Sequence, residues 1–329
     1  MIQRPTEKPL GHRTGERKMS EVGSVACVGI YVADALAKPV DEMPERGKLV
    51  LFDQLELHTG GCANNTAIAL ARLGVPTRAL GKIGHDAFGD FVLQRLTEAG
   101  VDTEGMIRTD ANTSFTFVMV ASDGERTFFH TIGANADLTA PDIRRDLIED
   151  AKVLHVAGTF LMPGFDGAPT ADLLQWAQGR GIITALDTTW DSSGKWLGTV
   201  GDALPHLDFF LPSIGEAREM TGRQDTDDVA QALLDLGVGT VALKLGAEGS
   251  YIRTADSRIR IPAISVEAVD STGAGDSYVG GFLTGQAMGW DLERCGRLGS
   301  ATGAACVTAI GTTPGLRSLE DTLALWDAQ

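Results

Sequence analysis

The chain alternates between two hydrophobic periodicities over most of its length. Short apolar runs predict buried strands, beginning at residues 25–30, and the stretches between them repeat apolar residues every three or four positions, as helices do. In "GGCANNTAIALARLG" (60–74), Ala63, Ala67 and Ala71 share one helical face. Further strands are predicted at 77–84, 153–157, 182–186, 208–211 and 241–245, and further helices at 86–100, 170–179, 215–222 and 226–236. This alternation predicts a doubly wound α/β fold, a mostly parallel sheet flanked by helices.

Two segments, residues 31–58 and 113–131, depart from this alternation because they contain strand-like runs with no helix between them. The runs lie at 48–57, 115–121 and 126–131. Residues 122–125 (Ser-Asp-Gly-Glu) join the last two and are typical of a hairpin turn. We predict a small β-sheet that projects from the main sheet as a lid; hairpins at the sheet edge with no gating role are the alternative.

Composition excludes several classes of protein. The 329 residues are 43% hydrophobic and 22% charged, which is typical of a globular chain rather than a disordered one. The formal net charge of −16 leaves no basic face for nucleic acid, and an anionic substrate would need a local basic pocket or a metal ion. No apolar run approaches the roughly 18 residues that span a bilayer, so a membrane partner is not expected.

The N-terminus and the cysteines together predict a cytoplasmic protein. The first eighteen residues are polar and basic without an apolar core, so they do not form a secretory signal. We expect a disordered tail over 1–20, with Met19 as a candidate native start, and one domain over 21–329. The four cysteines, which form no CxxC pair, are Cys27, Cys62, Cys295 and Cys306. Scattered thiols of this kind predict reduced, mostly buried side chains rather than a disulfide framework.

A glycine turn near the C-terminus carries the strongest chemical signal. In "AVDSTGAGDSYVGGFL" (268–283), a strand-like run at 264–269 leads through Gly-Ala-Gly to an apolar helix that begins near Asp276. Unpaired amides at a helix start form an anion site. A carboxylate there either caps the helix or accepts a proton from an alcohol while the amides stabilise a transferred phosphoryl group. The loop alone leaves both roles open.

Other phosphate-binding loops are not supported by the spacing of the glycines. The chain contains no GxxxxGK[ST] motif, which argues against a Walker-type NTPase. The first strand, which ends at Gly29, is not followed by GxGxxG, and residues 273–280 read GxGxxxxG. A nicotinamide-binding loop is therefore poorly supported.

Two motifs taken together indicate a family. "GGCANNTAIALARLG" joined to the later "DSTGAGDSYVGGF" resembles the paired signatures of the ribokinase-like (PfkB) carbohydrate kinases, and the order of elements is similar over residues 22–315. The resemblance implies a doubly wound core with a β-sheet lid, and ATP- and Mg²⁺-dependent phosphorylation of a sugar-like hydroxyl. It implies that Asp276 is the catalytic base and that the anion hole consists of Gly273, Ala274 and Gly275.

The resemblance also implies a site for the acceptor sugar, formed by Asp34, Gly60, Gly61, Asn65 and Arg126. Asp34 would accept bonds from sugar hydroxyls, although a surface loop acid is the alternative. Asn65 would contact the substrate; Asn64 competes for that role, and a helix-capping amide is the simpler interpretation. The two glycines would let the backbone approach the sugar. Arg126, on the lid, would contact the substrate or remain solvated.

The nucleotide side is implied in the same way, by Asp187, Lys244, Gly246, Gly249 and Thr272. Lys244 would neutralise ATP phosphates, with an exposed strand-end lysine as the alternative. Glu216 and Ser213 would hold Mg²⁺ through water, although Ser213 stands where many relatives carry Asn. Asp270 matches a side-chain ligand of the monovalent cation (K⁺) that many relatives bind. The asparagine frequent in the adenine-flanking helix of the family is not evident here.

We therefore expect an ATP-dependent kinase that transfers the γ-phosphate to a primary hydroxyl of a ribose-, fructose- or ketodeoxygluconate-like sugar. A nucleoside kinase of the same fold, and a catalytically silent sugar-binding protein, are the alternatives. Expected partners are the sugar and ATP, and a homodimer through the lid is plausible because lid sheets can pair between subunits. The sequence does not indicate which hydroxyl is phosphorylated.

Overall fold

A nine-stranded sheet forms the centre of residues 22–328, the part of the chain that the computed structural model describes. The tail predicted over 1–20 lies outside these residues. In chain order the strands are β1 (Val25–Gly29), β2 (Val32–Lys38), β3 (Gln54–Gly60), β4 (Thr77–Gly84), β5 (Asp102–Thr109), β6 (Ser114–Val120), β7 (Arg126–Thr131), β8 (Val153–Thr159), β9 (Ile183–Thr188), β10 (Phe209–Phe210), β11 (Thr240–Lys244), β12 (Ser250–Arg253) and β13 (Arg258–Ile261). The large sheet has the order β13-β12-β11-β10-β9-β8-β1-β4-β5.

The pairing within this sheet confirms the predicted α/β class. From β11 to β5 every neighbouring pair is parallel, while β12 and β13 add an antiparallel edge. All residues of β1 and β8 are buried, as expected for strands covered on both faces. The helices are α1 (Cys62–Arg72), α2 (Ala87–Glu98), α3 (Ala168–Gln178), α4 (Leu197–Val200), α5 (Ile214–Thr221), α6 (Thr226–Asp235), α7 (Ala274–Ala287), α8 (Leu292–Cys306) and α9 (Leu319–Asp327). Within residues 22–328, none is long and apolar enough to cross a bilayer.

A separate four-stranded sheet, here called the lid, has the order β3-β2-β6-β7. Its β6–β7 hairpin turns where predicted, and the amide of Ala121 donates to the carbonyl of Glu125 at 2.8 Å. The strand predicted at 48–57 is wrong in its first half, because β3 begins at Gln54. Gln54 pairs with Lys38, the last residue of β2, and Pro39 then lacks the N–H that would continue the ladder.

The strand predicted at 264–269 is also wrong. This segment is irregular, and it leads from β13, the last strand of the large sheet, to the loop before α7. Its alternation of apolar and polar residues is strand-like, but no strand within residues 22–328 pairs with it. Val269 is 57% exposed, and its amide donates to the carbonyl of Val307 in a loop at 2.7 Å.

Close packing of α1 against α7 positions the functional residues. Every residue of α7 from Ser277 to Ala287 is buried. A Cβ on Gly280 would lie 2.6 Å from the Cβ of Ala69, so only glycine permits this separation of the two helices. Both helices begin at the edge of the large sheet where its parallel strands end. Their N-termini therefore meet where α/β proteins bind ligands.

Candidate active site

The residues predicted to form an anion hole lie at the N-terminus of α7. Gly273 caps the helix in the left-handed conformation (φ +76°), which a residue with a side chain rarely adopts. The first strong backbone bond of the helix runs from the amide of Ser277 to the carbonyl of Gly273 at 2.9 Å, while the amide of Ala274 reaches Ser271 only at 3.3 Å. The amides of this first turn, with the positive end of the helix dipole, provide an environment for anionic oxygens.

Asp276 lies in the first turn of α7, and a residue of α1 holds its carboxylate. The side-chain amide of Asn65 donates to Asp276 Oδ2 at 2.8 Å, and the hydroxyl of Thr66 donates to its backbone carbonyl at 3.2 Å. Burial raises the pKa of Asp276, although the bond from Asn65 and the charge of Lys244 act in the opposite direction. Asp276 keeps part of its surface exposed, so an alcohol can approach it. These are the properties of a general base.

The two neighbouring asparagines have different positions. Asn65 contacts Asp276, whereas Asn64 is fully buried and donates to the side-chain oxygen of Asn65 at 3.3 Å. Of the two candidates, Asn65 is thus the one brought to the carboxylate, and Asn64 orients it.

Asp34 lies on β2 beside the glycines that open α1. A Cβ on Gly60 would stand 2.0 Å from Asp34 Oδ2, so glycine is required there, and Gly61 is the N-cap of α1 at φ +91°. Burial raises the pKa of Asp34 to about 6; a bond from Thr116 opposes the shift, and the charge of Asp276 adds to it. The effect of the Asp276 charge on Asp34 indicates that the two carboxylates lie near one another.

A row of polar side chains crosses the lid at Asp34. In the register of the sheet, Asp34 lies opposite His58 on β3 and Thr116 on β6, and Thr116 lies opposite His130 on β7. Opposed residues share a face of a sheet, so these four line the side of the lid that faces Asp276. Thr116 Oγ1 and His130 Nδ1 are 3.1 Å apart.

The sequence reasoning missed several residues near the carboxylates, namely His58, Thr66, Thr116, His130 and Cys62, the last of which contacts Asp276. The polar positions inside predicted strands were the available signal. Their alignment depends on the register between strands. The sequence of a single strand does not determine that register, so the row could not be predicted.

Arg126 reaches from the lid to the loop before the anion hole. Its Nη2 pairs with Asp270 Oδ1 at 2.6 Å, and its Nη1 donates to the hydroxyl of Thr272. The Asp270 side chain is 1% exposed and also accepts bonds from the amides of Thr272 and Gly311, both at 2.8 Å. Burial alone would raise the pKa of Asp270, but these bonds hold it below its usual value. The structure thus brings together two predicted residues, Arg126 and Asp270, that were assigned to different ligands.

A buried cation lies on the other side of the anion hole. Lys244 Nζ contacts both carboxylate oxygens of Asp187, at 2.7 and 2.8 Å, and would be 3.4 Å from a Cβ on Gly275. Burial alone would lower the pKa of Lys244, but the charges of Asp187 and Glu216 raise it overall. The lysine therefore carries its charge beside the anion hole.

Ser213 and Glu216 form a capping box at the start of α5. Glu216 Oε2 accepts from the amide of Ser213 at 3.0 Å and from the hydroxyl of Thr188 at 3.1 Å, and Ser213 Oγ accepts from the amide of Glu216 at 3.3 Å. Residues 22–328 hold no cluster of three or more His, Cys, Asp and Glu side chains suited to a metal. One carboxylate near Lys244 and Asp187 fits Mg²⁺ that is bound mainly by phosphates and water.

A cleft continues from this region along the same sheet edge. Gly246 (φ +62°) opens onto free space, whereas a Cβ on Gly249 would lie 2.0 Å from the carbonyl oxygen of Ile261. The cleft, of about 460 Å³, is lined by Ile261, Pro262, Ala263, Ile264, Arg297, Ser300, Trp326 and Asp327. Ser300 lines the cleft, and its hydroxyl is buried with no hydrogen-bond partner among residues 22–328. Neither Ser300 nor Trp326 was singled out from the sequence.

Comparison with known families identifies the class of protein. A family model described as pfkB family carbohydrate kinase matches residues 22–319. That range is most of the 329 residues, and the chain belongs to the PfkB family of carbohydrate kinases. It is a phosphotransferase with an alcohol group as acceptor, which confirms the family and enzyme class expected from the two motifs.

Individual relatives differ in their named acceptors. The 2-dehydro-3-deoxygluconokinase of Bacillus subtilis is 29% identical over 282 residues, which are 82% of this chain and 86% of the relative. The nucleoside kinase of Methanothermobacter thermautotrophicus is 30% identical over 314 residues, 94% of this chain and 98% of the relative. A solved Escherichia coli structure, a candidate ribokinase II in complex with ATP and Mg²⁺, has a TM-score of 0.81 at 22% identity over 93% of this chain and 100% of that one. The ribokinase-like fold is thereby confirmed.

Proposed function

We propose that the protein transfers the γ-phosphate of ATP to a primary hydroxyl of a sugar, with Asp276 as general base. Asp276 takes the proton from the hydroxyl, and the acceptor oxygen bonds to the γ-phosphorus in line with the leaving group. The bond from that phosphorus to the β,γ-bridging oxygen breaks, and ADP leaves. The observation that carries the proposal is the carboxylate of Asp276, held by Asn65 at 2.8 Å in the same helical turn as the anion hole.

The groups around the expected position of the ATP phosphates also support phosphoryl transfer. The amides of Gly273, Ala274 and Gly275 stabilise the negative charge of the transferred group, and the ammonium of Lys244 neutralises the oxygens beside it. Asp187 positions Lys244 through its two bonds. Mg²⁺, when bound through water to Glu216 beside Ser213, neutralises further phosphate charge.

The nucleotide base fits the cleft near Trp326. We assign the phosphates to the open side of Gly246 and the base to the cleft between residues 261–264 and α8, which Ser300 lines. Gly249 contributes by letting the β12 turn pack against Ile261. Four free thiols support a cytoplasmic location for this enzyme.

The charged side chains around the acceptor pocket favour an acceptor without a net charge. The pocket contains two carboxylates, Asp34 and Asp276, and within residues 22–328 the cations near it are already paired. Those cations are Arg126 with Asp270, Lys244 with Asp187, and Lys38 with Glu56 at 2.9 Å. A sugar acid would bring a third negative charge with no free partner, which is costly at short range. We therefore rank ribose- and fructose-like acceptors above a ketodeoxygluconate-like acid.

A nucleoside acceptor is the second candidate. The nucleoside kinase relative covers 94% of this chain, more than the sugar acid kinase does. Phe128 is 57% exposed and shares the face of the lid that carries Asp34, so it offers an aromatic surface for a base.

A coupled assay of ADP release tests these assignments across neutral sugars, sugar acids and nucleosides. Asp276→Asn should lower kcat by about 10²–10⁴-fold while acceptor binding is retained, as for a lost general base. Asp291→Asn, which changes the N-cap of α8 away from the site, is the matched control. An unchanged kcat in Asp276→Asn contradicts the assignment. Acceptor-induced thermal stabilisation without any ADP release would indicate a silent sugar-binding protein instead.

We also propose a homodimer through the lid. The face of the lid opposite Asp34 carries Leu55, Leu57, Phe117 and Phe129. Leu55 is 62%, Leu57 41% and Phe129 53% exposed. An exposed apolar sheet face of this kind is typical of an interaction surface.

A further inference from the structure

Asp270 does not fit the role of a ligand for a monovalent cation in this chain. Three donors already use its carboxylate: Oδ1 pairs with Arg126 and accepts from the amide of Thr272, and Oδ2 accepts from the amide of Gly311. A cation bound to this carboxylate would stand close to the Arg126 guanidinium. A second positive charge at that distance would be repelled by the first.

The guanidinium is also difficult to displace. Asp270 is almost completely buried, and its remaining partners are two backbone amides. Separating a buried ion pair is unfavourable because it leaves an uncompensated buried charge. The Arg126 side chain is itself 22% exposed, so this contact is shielded from most of the solvent.

Arg126 also contacts the segment that leads into the anion hole. Its second nitrogen donates to the hydroxyl of Thr272, the residue directly before Gly273. The carbonyl of Thr272 accepts in turn from the thiol of Cys306, whose sulfur also lies 3.2 Å from the carbonyl of Thr312. Arg126 and Asp270 therefore connect the loop that contains Thr272 to the loop that contains Gly311, beside the N-terminus of α7.

We propose that Arg126 is a positioning residue that replaces the monovalent cation beside the anion hole, so that this kinase operates without K⁺. Arg126 belongs to β7 of the lid, and Asp34, the acceptor ligand, belongs to β2 of the same sheet. One sheet thus carries both the proposed acceptor ligand and Arg126. The proposal rests on the proposed kinase function and concerns this chain's own residues.

The first test compares salts. Initial rates of the wild-type enzyme with its best acceptor should agree within about twofold in potassium, sodium and tetramethylammonium chloride at equal ionic strength. Activation of tenfold or more by potassium over tetramethylammonium would overturn the proposal.

The second test removes the guanidinium. Arg126→Met should lower kcat in tetramethylammonium by roughly 10- to 10³-fold, the range for a lost oxyanion-stabilising group, and potassium or guanidinium ions should restore part of that loss. The control Lys38→Met removes another lid cation, paired with Glu56, and should leave the salt profile unchanged. Arg126→Lys should retain more activity than Arg126→Met. An equal loss in all salts, with no rescue, would contradict a cation-like role.

A measurement on the ligand-free protein separates this proposal from the kinase assignment. Potassium at fixed ionic strength should raise the melting temperature of Arg126→Met but not that of the wild type, because only the variant has an unpaired Asp270. If potassium stabilises the wild type, or stabilises neither protein, the proposal that Arg126 replaces the cation is wrong. If no acceptor is phosphorylated, the proposed function fails, yet this comparison still decides whether Arg126 stands in for the ion.

Discussion

At the scale of single residues, the site contains two carboxylates in different environments. Asp276 is held by Asn65 and lies in the anion hole, whereas Asp34 belongs to a polar row on the lid. Burial raises the pKa of both. In the proposed reaction their tasks differ, because Asp276 accepts a proton whereas Asp34 must be ionised beforehand to accept sugar hydroxyls.

The pKa of Asp34, raised to about 6, predicts a pH dependence of acceptor binding. Below this pH the carboxylate is protonated, so the acceptor KM should rise about tenfold between pH 7 and pH 5, while the KM for ATP changes little. Initial-rate kinetics over this range check the expectation. In Asp34→Asn the acceptor KM should be high at every pH. A variant that keeps the wild-type profile would assign the titration to another group.

The same shift has a consequence for stability. The folded pKa of Asp34 lies above its unfolded value of 3.8, so the folded chain binds more protons between about pH 4 and 6. Stability contributed by this residue is thus present below pH 4 and is lost as the pH rises through 6. Asp34→Asn should therefore melt at a higher temperature than the wild type at pH 8, but not at pH 4.

At the scale of elements, the contact between α1 and α7 sets the distance from Asn65 to Asp276. The two helices approach closely because Gly280 faces Ala69 and the backbone of Thr66. This is a steric requirement rather than a chemical one, since Gly280 touches no reacting group. The hydrogen bond from Asn65 to Asp276 thus depends on Gly280, one turn further along α7.

Gly280→Ala tests that dependence. The added methyl would lie 2.6 Å from the Cβ of Ala69, and overpacking of this kind costs about 1–3 kcal/mol. We expect a lower midpoint in denaturant unfolding, together with a lower kcat because the helices move apart. Gly215→Ala in α5, where a Cβ meets nothing within 4 Å, should instead leave stability unchanged or raise it. Equal stability of wild type and Gly280→Ala would show that α1 can adjust without cost.

At the scale of the whole molecule, the lid has two dissimilar faces. The face towards the core carries the polar row and Arg126, and the opposite face carries the exposed side chains of Leu55, Leu57 and Phe129. The proposed dimer would cover the second face. A chain with a net charge of −16 repels its own copies at long range, so this contact must rely on apolar burial.

Leu57→Glu tests the interface. A carboxylate at this 41% exposed position should convert a dimer to a monomer in sedimentation velocity, because an unpaired charge would be buried at the contact. Leu236→Glu, at a site with the same 41% exposure at the end of α6, is the matched control and should remain dimeric. A wild-type chain that sediments as a monomer at micromolar concentration would refute the dimer.

The order of strands and helices was predictable because periodicity is a local property. The glycine-rich motifs around Asn65 and Asp276 likewise indicated the family, while the base and the anion hole assigned from them stay predictions. The pairing of Arg126 with Asp270 and the row through Thr116 depend on register and on contacts between residues distant in the chain. The mistaken strand at 264–269 has the same cause, since alternation cannot indicate whether a partner strand is present.

The alternation of side chains along the lid strands has a practical consequence for redesign. Asp34 and Ala35 are consecutive in the chain but point to opposite sides of a sheet one residue thick. Engineering of substrate preference at positions 34, 58, 116 and 130 can therefore proceed without altering the surface that a second subunit would meet.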